Sequence, residues 1–174
     1  MRINHTPLYA IGALLGLTLS LTPRESIAQP ASVHFQINAS GHVDCTRPIQ
    51  LQNFPVLVQG TGVLNSDRTA SADVDVTEFI FVSKIHFDGR LGARPSAAPG
   101  GSSQVRVAGR DRLRLTWSLP NNQITMDILV RGRSCSVVVG FALKRGMHEY
   151  SLYDGYGFHY CGKPRVEQTT CQVN

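Results

Sequence analysis

Residues 104–143 read QVRVAGRDRLRLTWSLPNNQITMDILVRGRSCSVVVGFAL, and their periodicity decides the fold. Leu113, Leu115, Trp117 and Leu119 alternate with Arg112, Arg114, Thr116 and Ser118, so the apolar side chains share one face of a strand. The alternation resumes beyond Pro120-Asn121-Asn122 as Ile124, Met126, Ile128 and Val130. A two-residue turn at Asn121-Asn122 predicts a hairpin with Leu119 opposite Ile124, Trp117 opposite Met126, Leu115 opposite Ile128 and Leu113 opposite Val130. Asparagine tolerates the positive φ that such a turn demands. A slip of one residue would set apolar side chains against polar ones along the whole pair, so the facing is strongly specified. Gly132-Arg133 repeats the device and predicts Val130 opposite Cys135, Ile128 opposite Val137 and Ile124 opposite Phe141. Upstream, a loop at Gly109-Arg110-Asp111 lays Val107 and Val105 beside Leu113 and Leu115. The stretch is a four-stranded antiparallel meander.

Toward the N-terminus, Val33, Phe35 and Ile37 alternate with His34, Gln36 and Asn38, a strand that ends or turns at Ser40-Gly41. Residues 43–58 are irregular, and Pro48 and Pro55 argue against a central strand there, leaving Leu51, Phe54, Val56 and Leu57 to cover an edge of the core. Residues 61–64 form a short strand before a turn at Asn65-Ser66-Asp67. Residues 72–87 form one long strand or two. Val74 and Val76 share one parity and Phe79, Phe81, Ile85 and Phe87 the other, so a bulge or a break falls near Thr77-Glu78. Asp88-Gly89 is a turn signal. Residues 94–103, RPSAAPGGSS, carry too little apolar bulk to offset ordering and are expected to be a mobile surface loop. No 3.6-residue apolar period and no internal repeat is found beyond residue 28. The expectation is an all-β chain, an antiparallel β-sandwich or a strongly curved, partly closed barrel, stapled by disulfides.

Arg2 and His5 precede an apolar run over residues 8–21, then Pro23 and the small-residue pattern Ser26-Ile27-Ala28. This is the layout of a secretory signal peptide over residues 1–28, cleaved after Ala28, with one β domain over 29–174. The run is short for a membrane span, which needs about 20 apolar residues, and no transmembrane helix is expected in the mature chain. Of 17 basic and 12 acidic residues, Arg2, Arg24 and Glu25 leave with the leader, so the mature chain carries a net charge of +4. With no basic run, no basic helix and no zinc spacing, nucleic acid is excluded as a partner. The four cysteines, Cys45, Cys135, Cys161 and Cys171, are an even set in an exported chain and are read as disulfides. Three connectivities are open. Proximity in sequence favours Cys161 with Cys171, leaving Cys45 for Cys135.

No motif of a catalytic centre is present. His148-Glu149 opens like a zinc-protease motif, but Leu152 stands where the second histidine belongs. His42 and Asp44 have no further ligand near them, and no serine lies in a nucleophile elbow. Asp73, Asp75 and Glu78, or Glu149 with Asp154, are the carboxylates from which acid–base chemistry would have to be built. Asp73 and Asp75 share a parity opposite Val74 and Val76, which reads as a solvated face. His34 and His86 sit at polar parities and read likewise. No metal and no cofactor is expected.

The best binding candidates lie in the segment HEYSLYDGYGFHYC, residues 148–161, with Tyr150, Tyr153, Tyr156, Tyr160 and His159. Tyrosine joins an apolar ring to a hydroxyl and suits glycan, lipid-headgroup or protein contact. An Asp154-Gly155 turn predicts Tyr153 opposite Tyr156 and Tyr150 opposite His159. On the meander, Arg114 and Arg131 share the outer face. Arg112 falls opposite Arg131, an unfavourable pairing unless an anion or Asp127 relieves it. The function expected is an exported, non-enzymatic binding or carrier protein for an apolar or amphipathic ligand or a protein partner, in the periplasm or outside the cell. Its partner is a lipid, a glycan or an envelope protein. The alternatives are a structural or surface-interaction protein without a small-molecule site, and a carboxylate-based hydrolase or isomerase on Glu78 or Glu149.

Overall fold

A computed structural model of the chain describes residues 32–47, 50–78, 80–90, 94–155 and 157–174. The predicted leader lies outside these residues, as do Phe79 and Tyr156. Twelve strands are described in chain order: β1 Ser32–Arg47, β2 Leu51–Asn65, β3 Thr69–Glu78, β4 Phe81–Arg90, β5 Ser96–Ala98, β6 Gly101–Val107, β7 Arg112–Ser118, β8 Asn122–Arg131, β9 Ser134–Leu143, β10 Tyr150–Tyr153, β11 Phe158–Cys161 and β12 Arg165–Val173. The first sheet has the order β10-β11-β1-β2-β3-β4, with β12 also paired to β1, and the second is β5-β6-β7-β8-β9. All pairs are antiparallel.

Alternation builds the core. In the first sheet Phe35 and Ile37, Val56 and Val58, Val74 and Val76, and Ile85 and Phe87 turn inward. In the second, Leu113, Leu115, Trp117, Ile124, Met126 and Ile128 are fully buried, and the two sets form one cluster. The flanks are tied without closing into a barrel. Ser103 Oγ on β6 donates to the His86 carbonyl on β4 at 2.9 Å, and the Cys135–Cys171 bridge joins β9 to β12. The chain is therefore a disulfide-stapled β-sandwich.

The meander lies where its periodicity predicts, with one offset. The β8–β9 and β6–β7 pairings are those expected, including Val130 opposite Cys135 and Val105 opposite Leu115. At the β7–β8 hairpin, Trp117 pairs with Ile124, Leu115 with Met126 and Leu113 with Ile128, two residues away from the expectation. The Leu119 N–H donates to the Asn122 carbonyl at 2.9 Å, so the turn is Pro120-Asn121. A shift of two keeps every side chain on its face. It also sets Arg112 opposite Leu129 instead of Arg131, and Arg114 opposite Asp127.

Elsewhere several expectations are corrected. The first strand does not end at Ser40-Gly41 but runs on to Arg47, and residues 51–65 form a full strand, β2. Pro55 stands opposite His42 of β1, and among the described residues the β2–β3 pairing begins only beyond it, at Val56, so the proline falls at the margin of that ladder. Residues 72–87 resolve as a break, β3 and β4. Asp88 and Gly89 remain in β4, opposite Ser71 and Ala70. Residues 94–103, expected as a loop, form the β5–β6 hairpin around Pro99-Gly100. There the Trp117 Nε1–H donates to the Pro99 carbonyl at 2.9 Å. That bond supplies an anchor which the composition of the segment itself lacks.

The disulfides are Cys45–Cys161 and Cys135–Cys171, not the pairing that sequence proximity favours. β11 and β12 both pair with β1, Cys161 opposite Cys45 and Cys171 opposite Ile37. Eight residues of extended strand separate those positions by about 27 Å, so Cys161 and Cys171 cannot meet. Peptide mapping of the unreduced protein is expected to recover these two cross-links and no Cys161–Cys171 peptide. A second expectation concerns Gly62, where a Cβ would stand 2.4 Å from Phe35 Cζ and 2.7 Å from the Ser71 carbonyl oxygen. Gly62→Ala is expected to cost about 1–3 kcal/mol by overpacking, read from urea unfolding.

Candidate functional site

The outward parity of β1 to β4 is polar along its middle. Gln36 and Asn38 come from β1, Gln59 and Thr61 from β2, Asp73 and Asp75 from β3, and Lys84 and His86 from β4. The register lines them up in two rows across the strands: Gln36, Thr61, Asp73, His86, and Asn38, Gln59, Asp75, Lys84. The rows stand about 7 Å apart along the strands, and the four strands spread each row over about 14 Å. Together they line an open basin of about 590 Å³ over a floor that includes Gly60, Val74 and Ile85. His86 Nδ1 pairs with Asp73 Oδ1 at 2.7 Å, and the Gln59 amide donates to Asn38 Oδ1 at 3.3 Å. The basin carries two carboxylates and one ammonium. The rest of its polar lining is three amides, one hydroxyl and one imidazole.

Of the residues singled out from the sequence, Asp73 and Asp75 line the basin, whereas the tyrosines, His159, Arg114 and Arg131 lie elsewhere. Tyr150 is buried, and its hydroxyl donates to the Phe141 carbonyl at 2.8 Å; burial raises its pKa. Tyr153, half-buried, packs against Phe158 with ring centroids 5.5 Å apart. Tyr160 is half-buried with the Arg47 guanidinium over its ring, and Arg47 also bonds Glu149 at 2.9 Å. Their hairpin too is offset by two residues, with Tyr153 opposite Phe158, Leu152 opposite His159 and Tyr150 opposite Cys161. The connection is thus four residues long rather than two. Tyr156 lies outside the described residues. Arg114, on the other sheet, makes two bonds to Asp127, at 2.6 and 2.7 Å. The pair raises the arginine's pKa and holds the carboxylate below its usual range. Arg131 is exposed at the end of β8, opposite Ser134.

A second cluster sits inside the sandwich, at the end closed by the β10–β11 hairpin. Glu78 occupies the last inward position of β3, only 1 % exposed, and neither of its oxygens has a hydrogen-bond partner among the described residues. Burial, and then the Asp154 carboxylate, push its pKa up to about 8, against a smaller opposing pull from the Tyr153 backbone. Asp154 is itself buried, hydrogen-bonded to His159 Nε2, and accepts the Gly157 N–H at 3.0 Å. Phe54 stacks on the His159 ring. Neither Glu78 nor Glu149 lines the basin. No group of three or more His, Cys, Asp or Glu among the described residues is placed to hold a metal ion, and His42 pairs instead with Glu167 at 2.9 Å.

Sequence reasoning placed Asp73, Asp75 and His86 on a solvated face but did not single out Gln36, Asn38, Gln59, Thr61 or Lys84. The available signal was polar parity repeated in four strands. It becomes a site only when the register between those strands is known, and β2 was not read as one strand. Comparison with protein-family models, with curated proteins and with solved structures finds no match to this chain.

Tyr150→Phe separates a structural tyrosine from a ligand-binding one. Removing the hydroxyl strips the buried Phe141 carbonyl of a donor, a loss of about 1–3 kcal/mol. The expected outcome is a lower denaturation midpoint with unchanged ligand or partner binding.

Proposed function

We propose that this is an exported, non-enzymatic binding protein that holds a glycan on the outer face of the β1–β4 sheet. The observation that carries this reading is the two-row polar basin on a sandwich whose sheets pack face to face through filled side-chain layers. An apolar or amphipathic ligand carried inside would need a chamber where Trp117, Phe35 and Met126 pack. A sugar presents hydroxyls that both donate and accept, and planar amides and carboxylates pair with them well. Asp73 and Asp75 disfavour phosphate, so the face suits neither nucleic acid nor an anionic lipid headgroup. Two disulfides fit an oxidising, exported location, and periplasm and extracellular space both meet that condition. No described helix is long and apolar enough to cross a membrane.

A carboxylate-based hydrolase or isomerase gains less support, because Glu78 is sealed in the sheet interior and Glu149 is held by Arg47. A surface-interaction protein without a small-molecule site is favoured by one observation. Next to the basin, Leu57 and Val82 flank Thr77 in a third row, and with Ile80 they leave apolar surface exposed.

The test is an oligosaccharide array with the oxidised protein, followed by calorimetric titration of the sugars retained. Asp75→Ala and Gln59→Ala are each expected to weaken binding about tenfold, the loss of one good hydrogen bond. Arg114→Ala, on the other sheet, is expected to leave it unchanged. Retention of no glycan, or binding indifferent to both basin substitutions, overturns the proposal. In that event a protein partner lost on Val82→Asp would point to the apolar row.

A further inference from the structure

We propose that Glu78, Asp154 and His159 form a proton-operated latch that holds the tip of the β10–β11 hairpin against the end of the sandwich and loosens it as pH rises. The inference is independent of what the basin binds. Its geometric basis is the meeting of three ionisable groups where the hairpin covers β3. Glu78 comes from β3, Asp154 from the hairpin connection and His159 from β11. Among the described residues, Tyr153 is the other titratable side chain of the tip beside them. The cross-strand neighbours of Glu78, Val56 on β2 and Phe81 on β4, are uncharged. Asp75 and Lys84 belong to the opposite face of the sheet, and Arg47 and Glu149 pair with each other.

The hairpin is built to move at its tip and not at its base. At the base, the Cys45–Cys161 bridge and the Gly162 N–H bond to the Asp44 carbonyl fix β11. Tyr150 and Ser151 are bonded to Phe141 and to the buried Asn122. The tip has Gly155 at φ +87°, a conformation open to glycine at little cost, and then Gly157. Its attachments among the described residues include the Ser83 hydroxyl donating to the Tyr153 carbonyl at 2.7 Å, the packing of Tyr153 and Phe158 on the edge of the core, and the cluster itself.

Closed, the tip keeps water from Glu78, which then stays protonated beside the Asp154 carboxylate. Open, Glu78 is hydrated and ionises as an ordinary glutamate, so opening releases one proton. Because the closed-state pKa is raised from 4.5 to about 8, the latch is fully effective below about 4.5. It loses a factor of about ten in its closing equilibrium per pH unit up to about 8, and no more beyond. An exported protein meets the pH of its surroundings directly, which makes this window a usable one.

Amide hydrogen exchange in the wild-type protein reads the linkage. Base-catalysed exchange alone rises about tenfold per pH unit; proton-linked opening adds a second factor of about ten. The logarithmic slope of the Tyr153 and Asp154 amides is therefore expected to be about 2 between pH 4.5 and 8 and about 1 on either side of that window, while Ile128 in β8 stays at about 1 throughout. Glu78→Gln, which is neutral at every pH, is expected to bring the tip amides to a slope of about 1. Asp154→Asn is expected to move the change of slope to lower pH, because the neighbouring charge is gone. A wild-type tip with a slope of about 1 throughout overturns the proposal, and so does a slope of about 2 that survives in Glu78→Gln. If Glu78→Gln does not fold, the Glu78 carboxyl titration followed by carbon NMR in the wild type decides instead. A midpoint in the ordinary range near 4.5 overturns the latch, and one near 8 supports it.

Discussion

β1 is the constraint on which the first sheet depends. Its 16 residues pair with β2 along one edge and with two different strands along the other, β12 over its first part and β11 at its end. A strand of ordinary length would offer room for one partner on each side. The extra length lets both C-terminal strands, β11 and β12, return to the N-terminal one, and each arrival is locked by a cysteine. Cys161 bonds to β1 itself, and Cys171, seated opposite Ile37, reaches across the flank to β9. Both bridges therefore hold the C-terminal strands in place. Such long-range pairings close large loops, where a cross-link restricts the unfolded chain most.

The part of this arrangement that was legible in the sequence is the part governed by parity. Leu113, Leu115 and Trp117 alternate so cleanly that their burial follows from the letters, and the β6–β7 and β8–β9 registers follow with it. At two of the turns that had to be chosen, Pro120-Asn121-Asn122 and Asp154-Gly155-Tyr156-Gly157, the pairings came out two residues away. The cause is the same in each. Apolar alternation penalises a slip of one residue, which exchanges the faces, but is indifferent to a slip of two. Turn chemistry alone then decides, and several turn residues in a row permit more than one length. At β7–β8 the charges carried the missing information, because the observed register converts an Arg112–Arg131 confrontation into the Arg114–Asp127 pair.

The rest was illegible for a different reason, namely that it is set by which strands become neighbours. Pro55 argued against a central strand by a sound local rule. The rule did not exclude a strand, because among the described residues β2 pairs with only β1 at that position. Cys161 and Cys171 are close in sequence but lie toward opposite ends of β1. The basin is a grid in which each row takes one side chain from each of four strands, so no segment of chain contains its pattern. Inward and outward assignments are local, whereas sites spread over a sheet are properties of topology.

β3 joins the two functional arguments. Its outward positions give Asp73 and Asp75 to the basin, and its inward positions run Ala70, Ala72, Val74, Val76 and then Glu78. Continued apolar alternation calls for a hydrophobic side chain at that last place. A carboxyl in its stead weakens the core at neutral pH, and a buried acid beside a second buried acid is tolerable only while one of them keeps its proton. The hairpin that seals this end contributes the second acid itself, together with the histidine that bonds it. Sealing the end of the sandwich and keeping Glu78 protonated are thus one act. The stability of that end follows proton concentration, while the apolar layers between the sheets carry no such dependence.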